Sequence, residues 1–313
     1  MDFDYIRGIT FAPFVGRGVL GREETKKSLT AMRERTGADT VLLAPAGVQK
    51  TAHSTTISYD SEYTMGDREL IEFIGYAKRM GFRVFLKPTV NCLDGTWRAY
   101  IRFFDEDVVC EPKWSEWFAS YTDFQLHYAR IAEETGCEMF IAGCEMVMTE
   151  HREEEWRRLI RDIRRVYCGL VSYNTDKYQE HNVKWWDCVD VISSSGYYPA
   201  DDWDNQLDRI EKVVAKYHKP FFFAETGCMS TVGSSLRPND WEVTGDVSLS
   251  EQEEWYKKAF QAMELRPWIR GMVLWSWNSG LGPVEEAKRH RYYEIYGKPA
   301  ETVVKQFFER GDR

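Results

Sequence analysis

The 313-residue sequence lacks the features that mark several large function classes. It has no run of about 18 apolar residues, so no helix suited to crossing a membrane is expected. Basic residues are in the minority, 41 against 50 acidic ones for a net charge of −9. They form no stripe that would track a nucleic-acid backbone. The seven Cys contain no CxxC pair. Cys92, Cys137, Cys144, Cys168, Cys188 and Cys228 fall in or beside strand-like runs or buried loops and read as reduced, buried thiols of a cytoplasmic protein. The six His (His53, His127, His151, His181, His218 and His290) form neither HxH nor HExxH, which argues against a metal-dependent hydrolase. A serine hydrolase's GxSxG is missing too. The opening Met1-Asp-Phe-Asp-Tyr-Ile-Arg7 has no basic segment followed by an apolar one, so no secretory leader is expected. These absences predict a cytoplasmic protein without cofactor or metal, and with neither nucleic acid nor membrane as partner.

One motif fails on its context. Gly16-Arg-Gly-Val-Leu-Gly21 matches the GxGxxG of dinucleotide sites. Such a site also needs an acidic residue at the end of the second strand. That strand ends Leu43-Ala-Pro-Ala-Gly47, and Asp39 stands at its start.

What the chain does have is apolar and aromatic content: 43% hydrophobic residues, with 12 Trp, 17 Tyr and 17 Phe. Strand-like runs cover Gly8–Phe14, Thr40–Ala46, Arg83–Val90, Glu138–Glu145, Gly169–Asn174, Val189–Tyr197, Pro220–Glu225 and Gly271–Trp277. Most are continuously apolar, the pattern of parallel strands buried on both faces. Amphipathic segments alternate with them: Glu23–Thr36, Asp67–Met80, the Trp117–Ile131 stretch, Trp156–Val166, Leu207–Tyr217 and Ser250–Met263, with Tyr178–Trp186 as a further helix. Ser250-Glu-Gln-Glu253 reads as a capping box. This α/β alternation, with no Pro/Gly/Ser-rich linker, predicts a single (β/α)8 TIM barrel over residues 1–313. Two long connections, Asn91–Ser115 and Cys228–Leu249, leave the carboxyl ends of strands three and seven, the face where barrel active sites form.

Two glutamates close apolar runs. Glu145 ends Cys137-Glu-Met-Phe-Ile-Ala-Gly-Cys-Glu, and Glu225 ends Pro220-Phe-Phe-Phe-Ala-Glu. A carboxylate there is costly unless solvent or a site receives it. A lone Glu at a strand end is more often a solvated loop residue. Two of them, at the fourth and seventh strands of one barrel, predict the carboxylate pair of glycoside hydrolysis. Strict alternation sets Glu145 on a face with Gly143, Ile141 and Met139, and Glu225 with Phe223 and Phe221. It sets Trp275 and Trp277 together on strand eight, as a floor for a sugar ring. Asn174 caps strand five, and Tyr197 and Tyr198 precede Pro199 on strand six.

The chain resembles clan A of the glycoside hydrolases, and within it glycoside hydrolase family 113, the β-mannanases. The stretches that carry the resemblance are Lys87-Pro-Thr-Val-Asn91, Gly95-Thr-Trp-Arg98, Trp117-Phe-Ala-Ser-Tyr121, Ile141-Ala-Gly-Cys-Glu-Met146, Ser195-Gly-Tyr-Tyr-Pro199, Ala224-Glu-Thr-Gly227, Leu274-Trp-Ser-Trp277 and Gly297-Lys-Pro-Ala300. It implies a retaining enzyme, with Glu145 as acid/base and Glu225 as nucleophile, cleaving β-1,4-mannosidic linkages in mannan or manno-oligosaccharides. It also implies that Lys87, Asn91, Trp97 and Arg98 bind or stack on sugar. Tyr198, ahead of Tyr197, is the expected donor to the nucleophile. Much of the clan has Asn before the acid/base to hold the substrate's 2-hydroxyl. Here that residue is Cys144, so Asn174 is the substitute expected to reach this hydroxyl. Two alternatives stand beside this reading: a clan-A hydrolase for another β-linked oligosaccharide, and a catalytically silent carbohydrate-binding barrel.

Overall fold

Continuously apolar strands can be buried on both faces only if helices cover one face and the strands themselves enclose the other. The computed structural model, which describes residues 4–242 and 244–310, meets that condition with a closed parallel barrel. In chain order the barrel strands are β1 (Ile6–Phe11), β2 (Thr40–Leu43), β4 (Arg83–Leu86), β6 (Met139–Cys144), β7 (Leu170–Thr175), β8 (Val191–Gly196), β9 (Phe221–Thr226) and β10 (Ile269–Trp277). Two further strands, β3 (Ala46–Gln49) and β5 (Thr89–Cys92), pair with each other beyond the ends of the second and third barrel strands. The outer layer is α1 (Glu23–Thr36), α2 (Asp67–Arg79), α3 (Trp114–Thr135), α4 (Glu153–Arg164), α5 (Trp203–Tyr217), α6 (Leu249–Glu264), the short α7 (Val284–Ala287) and α8 (Pro299–Phe308).

The core divides accordingly. Ile6, Leu42, Phe85, Met139, Ile141, Val191, Phe222, Ala224 and Val273 fill the lumen. The larger cluster, including Trp117, Trp156, Phe221, Phe223 and Trp255, packs strands against helices. On β9 this reverses the expected face, since Phe222 and Ala224 point inward while Phe221 and Phe223 point outward. Glu225 nevertheless reaches the mouth because the register slips beside it. Ser194 pairs with Phe223, but the next residue, Ser195, pairs with Glu225. Such an irregularity re-aims a side chain that strict alternation would send to the other face.

Two further expectations change. Tyr178–Trp186 is not a helix; it runs through turns into a 3-10 turn at Trp186–Cys188. Adjacent Trp185 and Trp186 are both fully buried, and their indole N–H groups donate to the Glu150 and Glu180 carbonyls. One amphipathic helical face would not take both rings. At α6 the cap is Ser248, whose hydroxyl accepts from the Glu251 N–H at 3.4 Å, so the start lies two residues earlier than Ser250. The Gly16–Gly21 turn carries its own anion. The Gly18 and Leu20 N–H groups donate to Glu69 at 2.8 and 3.1 Å, where a nucleotide site would hold phosphate.

Candidate active site

Glu145 lies just past β6 with a positive φ of 54°. A non-glycine residue there costs about 1–3 kcal/mol and persists where its surroundings fix it. The fixing contact is its own N–H, which donates to the Asn174 carbonyl at 2.7 Å. The side chain is thereby turned into the barrel mouth. Its Oε1 accepts from the Ser195 hydroxyl at 2.7 Å, and its Oε2 from Trp97 Nε1 at 3.1 Å and Arg98 Nη1 at 3.3 Å. Arg98 is itself held by the Asn91 side chain at 2.7 Å and the Val90 carbonyl at 2.9 Å.

Glu225 has a different set of donors. Lys87 Nζ donates to its Oε2 at 2.8 Å and Tyr197 Oη to its Oε1 at 2.7 Å. The Cys144 thiol lies 3.6 Å from Oε2. Burial pushes this carboxyl up, but the Lys87 charge and hydrogen bond, with the Tyr197 hydrogen bond, outweigh it and hold Glu225 below the ordinary glutamate range. The Cys144 thiol is pushed far up, by burial first, and stays neutral. Burial pushes the Lys87 ammonium down, but the neighbouring Cys144 and Glu225 groups and the Glu225 hydrogen bond outweigh it and hold Lys87 above the ordinary lysine range. It also donates to Asn174 Oδ1 at 2.9 Å and the Ala224 carbonyl at 3.3 Å. Removing one member of such a buried pair typically costs about 3–5 kcal/mol.

Both carboxylates open into one cavity of about 430 Å³. Aromatic rings supply much of its wall: Trp275 against Phe14 at 5.5 Å, Trp97 against Trp241 at 6.0 Å, and Tyr197 against Tyr293 at 5.8 Å. Lys177 lines the cavity with its ammonium 5.6 Å from the Trp97 ring centre. Beside it Asp176 is pushed up to about 7, by burial first and then by the Glu145 charge.

Of the residues expected from sequence, Glu145, Glu225, Tyr197, Asn91, Trp97, Arg98 and Trp275 line this cavity. Lys87 sits beneath it, bonded to Glu225. Asn174 does not reach the open space. It is fully buried, its Oδ1 takes Lys87, and its Nδ2 donates to the Thr175 carbonyl and the Ser195 hydroxyl at 2.8 and 3.1 Å. It therefore links the supports of the two carboxylates instead of presenting a group to sugar. Trp277 is also displaced. The β1–β10 register shifts between Trp275 and Trp277, and the Trp277 indole points outward to donate to Ser28 at 3.0 Å. Tyr198 is displaced by simple alternation. Its hydroxyl donates outside the barrel to buried Glu180 at 2.8 Å, leaving Tyr197 as the donor to Glu225. Phe14, Lys177, Asn239, Trp241 and Tyr293 line the cavity without having been expected. Asn239 and Trp241 belong to the long connection after strand seven, whose length was the signal.

The Tyr pair gives a direct test. Tyr197→Phe removes a hydrogen bond to a charged group and is expected to lower kcat/KM about 10- to 100-fold. With one of the contacts that hold Glu225 ionised gone, the acid limb of the pH profile should move to higher pH. Tyr198→Phe, which touches Glu180 instead, should leave that limb in place. An unmoved limb in Tyr197→Phe would contradict the donor assignment.

A barrel that presents two buried carboxylates and an aromatic, sugar-sized cavity at the carboxyl ends of its strands is built as a glycoside hydrolase. The model of Glycoside Hydrolase Family 113 matches residues 9–298, and the chain belongs to that family. A GH113 β-1,4-mannanase, also solved as a complex, is 51% identical with a TM-score of 0.98, covering 99% of this chain and 100% of that one. The GH113 β-mannanase of Alicyclobacillus acidocaldarius, in complex with ManMIm, is 43% identical with a TM-score of 0.94 over 98% of both chains. A β-glucuronidase from Ruminococcus gnavus, 14% identical with a TM-score of 0.66 over 99% of this chain and 50% of its own, shares the fold alone. No curated protein matches the chain.

Proposed function

We propose that the chain is a retaining β-1,4-mannanase acting on mannan or manno-oligosaccharides, with Glu225 as nucleophile and Glu145 as general acid/base. The observation that carries the role assignment is the unequal support of the two carboxylates. Glu225 rests on the buried Lys87 ammonium and the Tyr197 hydroxyl, which keep it ionised for attack. Glu145 stands across the cavity among Ser195, Trp97 and Arg98. In the first step a Glu225 oxygen bonds to the anomeric carbon as the glycosidic oxygen leaves with the proton from Glu145. In the second step Glu145 takes a proton from water, whose oxygen displaces Glu225 and restores both groups. The Trp275, Phe14 and Trp97 rings offer faces for the sugar. The substrate reading rests on full-length similarity to the two β-mannanases. All seven cysteines are unpaired, which supports a reducing, cytoplasmic setting, although Cys168 is exposed and Cys188 half-buried where both were expected to be buried.

Initial rates on matched manno-, cello- and xylo-oligosaccharides test the substrate. The expected kcat/KM on the manno series exceeds the others by at least about 10²-fold, since misplaced hydroxyls leave buried polar groups unpaired. Full activity is expected after exhaustive chelation. Preference for a gluco or xylo series would move the chain to another β-linked sugar. Tight binding without turnover on any series would favour the silent barrel.

A further inference from the structure

The same end of the barrel holds a second cavity of about 840 Å³, which shares no lining residue with the catalytic one. A thin wall divides them. The 3-10 turns Arg98–Tyr100 and Val147–Thr149 lie against each other there. Arg98 and Glu145 line the catalytic side, and Arg102 and Val147 line the far side.

Glu150 lines this second space and is 4% exposed. The Tyr173 and Thr175 hydroxyls both donate to its Oε1, at 2.8 and 2.6 Å, and among the described residues no hydrogen bond falls on Oε2. Burial, set against the Thr175 and Tyr173 hydrogen bonds, pushes this carboxyl up to about 8, which favours its protonated form, a group that can both donate and accept. No step of the proposed hydrolysis uses it. Around it stand the Gln179 and Asn182 amides, the Phe104 ring, which is 60% exposed, the His53 and His151 rings, and the charged Arg102, Asp105 and Glu111 side chains. The two amides and the Glu150 carboxyl offer a polyol hydrogen bonds, and the exposed Phe104 ring offers a stacking surface. The volume lies in the range of small-molecule sites.

We propose that this second cavity is a carbohydrate-binding site, which holds a neutral β-linked oligosaccharide apart from the bond being cleaved. The choice of mannose units rests on the function proposed above. A segment of the same polymer bound at two places would raise the effective concentration of chain at the catalytic cavity.

Titration calorimetry of the Glu225→Ala variant with mannotriose tests this. Two equivalents should bind. Adding Phe104→Ala and Asn182→Ala, both exposed positions, should reduce the count to one. In otherwise wild-type enzyme the same two changes should leave kcat/KM on an aryl β-mannobioside within about 2-fold, while KM for soluble mannan rises about 10-fold. A single equivalent in the parent variant, or two that persist after both changes, would overturn the proposal. Failure of the proposed function reads out separately, as a wild-type chain that cleaves no manno-oligosaccharide.

Discussion

Glu225→Ala is expected to lose at least about 10⁴-fold in kcat on every substrate, activated or not, while the protein stays folded. No covalent glycosyl-enzyme can form without the carboxylate. Neighbouring groups cannot replace it: the Cys144 thiol, 3.6 Å away, is held neutral by burial, and Tyr197 is a phenol whose acidity burial suppresses further. The change leaves the Lys87 ammonium buried without its carboxylate, which by itself costs about 3–5 kcal/mol. Circular dichroism and the melting temperature must therefore accompany the rates. Azide should restore turnover by entering from the vacated face, and the product should be the α-glycosyl azide. Near-normal turnover in a folded Glu225→Ala variant would remove this residue from the chemistry.

Glu145→Ala should show a different defect. With a poor leaving group the loss should reach about 10²- to 10⁴-fold, the usual contribution of general acid catalysis. A dinitrophenolate departs without protonation, so glycosylation of Glu225 should survive, and deglycosylation should become rate-limiting because water then has no base. An initial burst of dinitrophenolate followed by slow turnover is the expected trace. Azide needs no deprotonation and should accelerate the slow phase, giving the β-glycosyl azide. The reverse azide stereochemistry in the two variants would exchange the roles of Glu145 and Glu225. Equal losses on good and poor leaving groups, without a burst, would remove Glu145 as acid/base.

The barrel was legible because its strands are apolar runs with amphipathic segments between them, and that pattern follows from a sheet buried on both faces. The two glutamates were legible because a charge at the end of such a run needs a reason. Which face each side chain takes was only partly legible. On β8 alternation holds throughout, and Val191, in the lumen, shares its face with Ser193, Ser195 and Tyr197. The small polar pair beneath Tyr197 is a signal in the sequence that would have preferred it to Tyr198. On β9 and β10 alternation misleads. The register slips beside Glu225 and before Trp277 arise from pairing with neighbouring strands, and a single strand's sequence does not encode its partner's offset. Asn174 was recognised as important and given the wrong task, because its partners Lys87, Ser195 and Cys144 come from three other strand ends. Phe14 and Tyr293 reach the cavity from opposite ends of the chain, a proximity set by barrel closure.

Mapping the covalent intermediate tests the assignment of the two carboxylates most directly. Glu145→Ala enzyme would be incubated briefly with a dinitrophenyl β-mannobioside, quenched in acid, digested, and its peptides weighed and sequenced by mass spectrometry. The account predicts one added mannobiosyl unit, ester-linked to Glu225 in the Pro220–Gly227 segment. A label on any other residue would contradict it, as would an unlabelled enzyme that releases the α-sugar first.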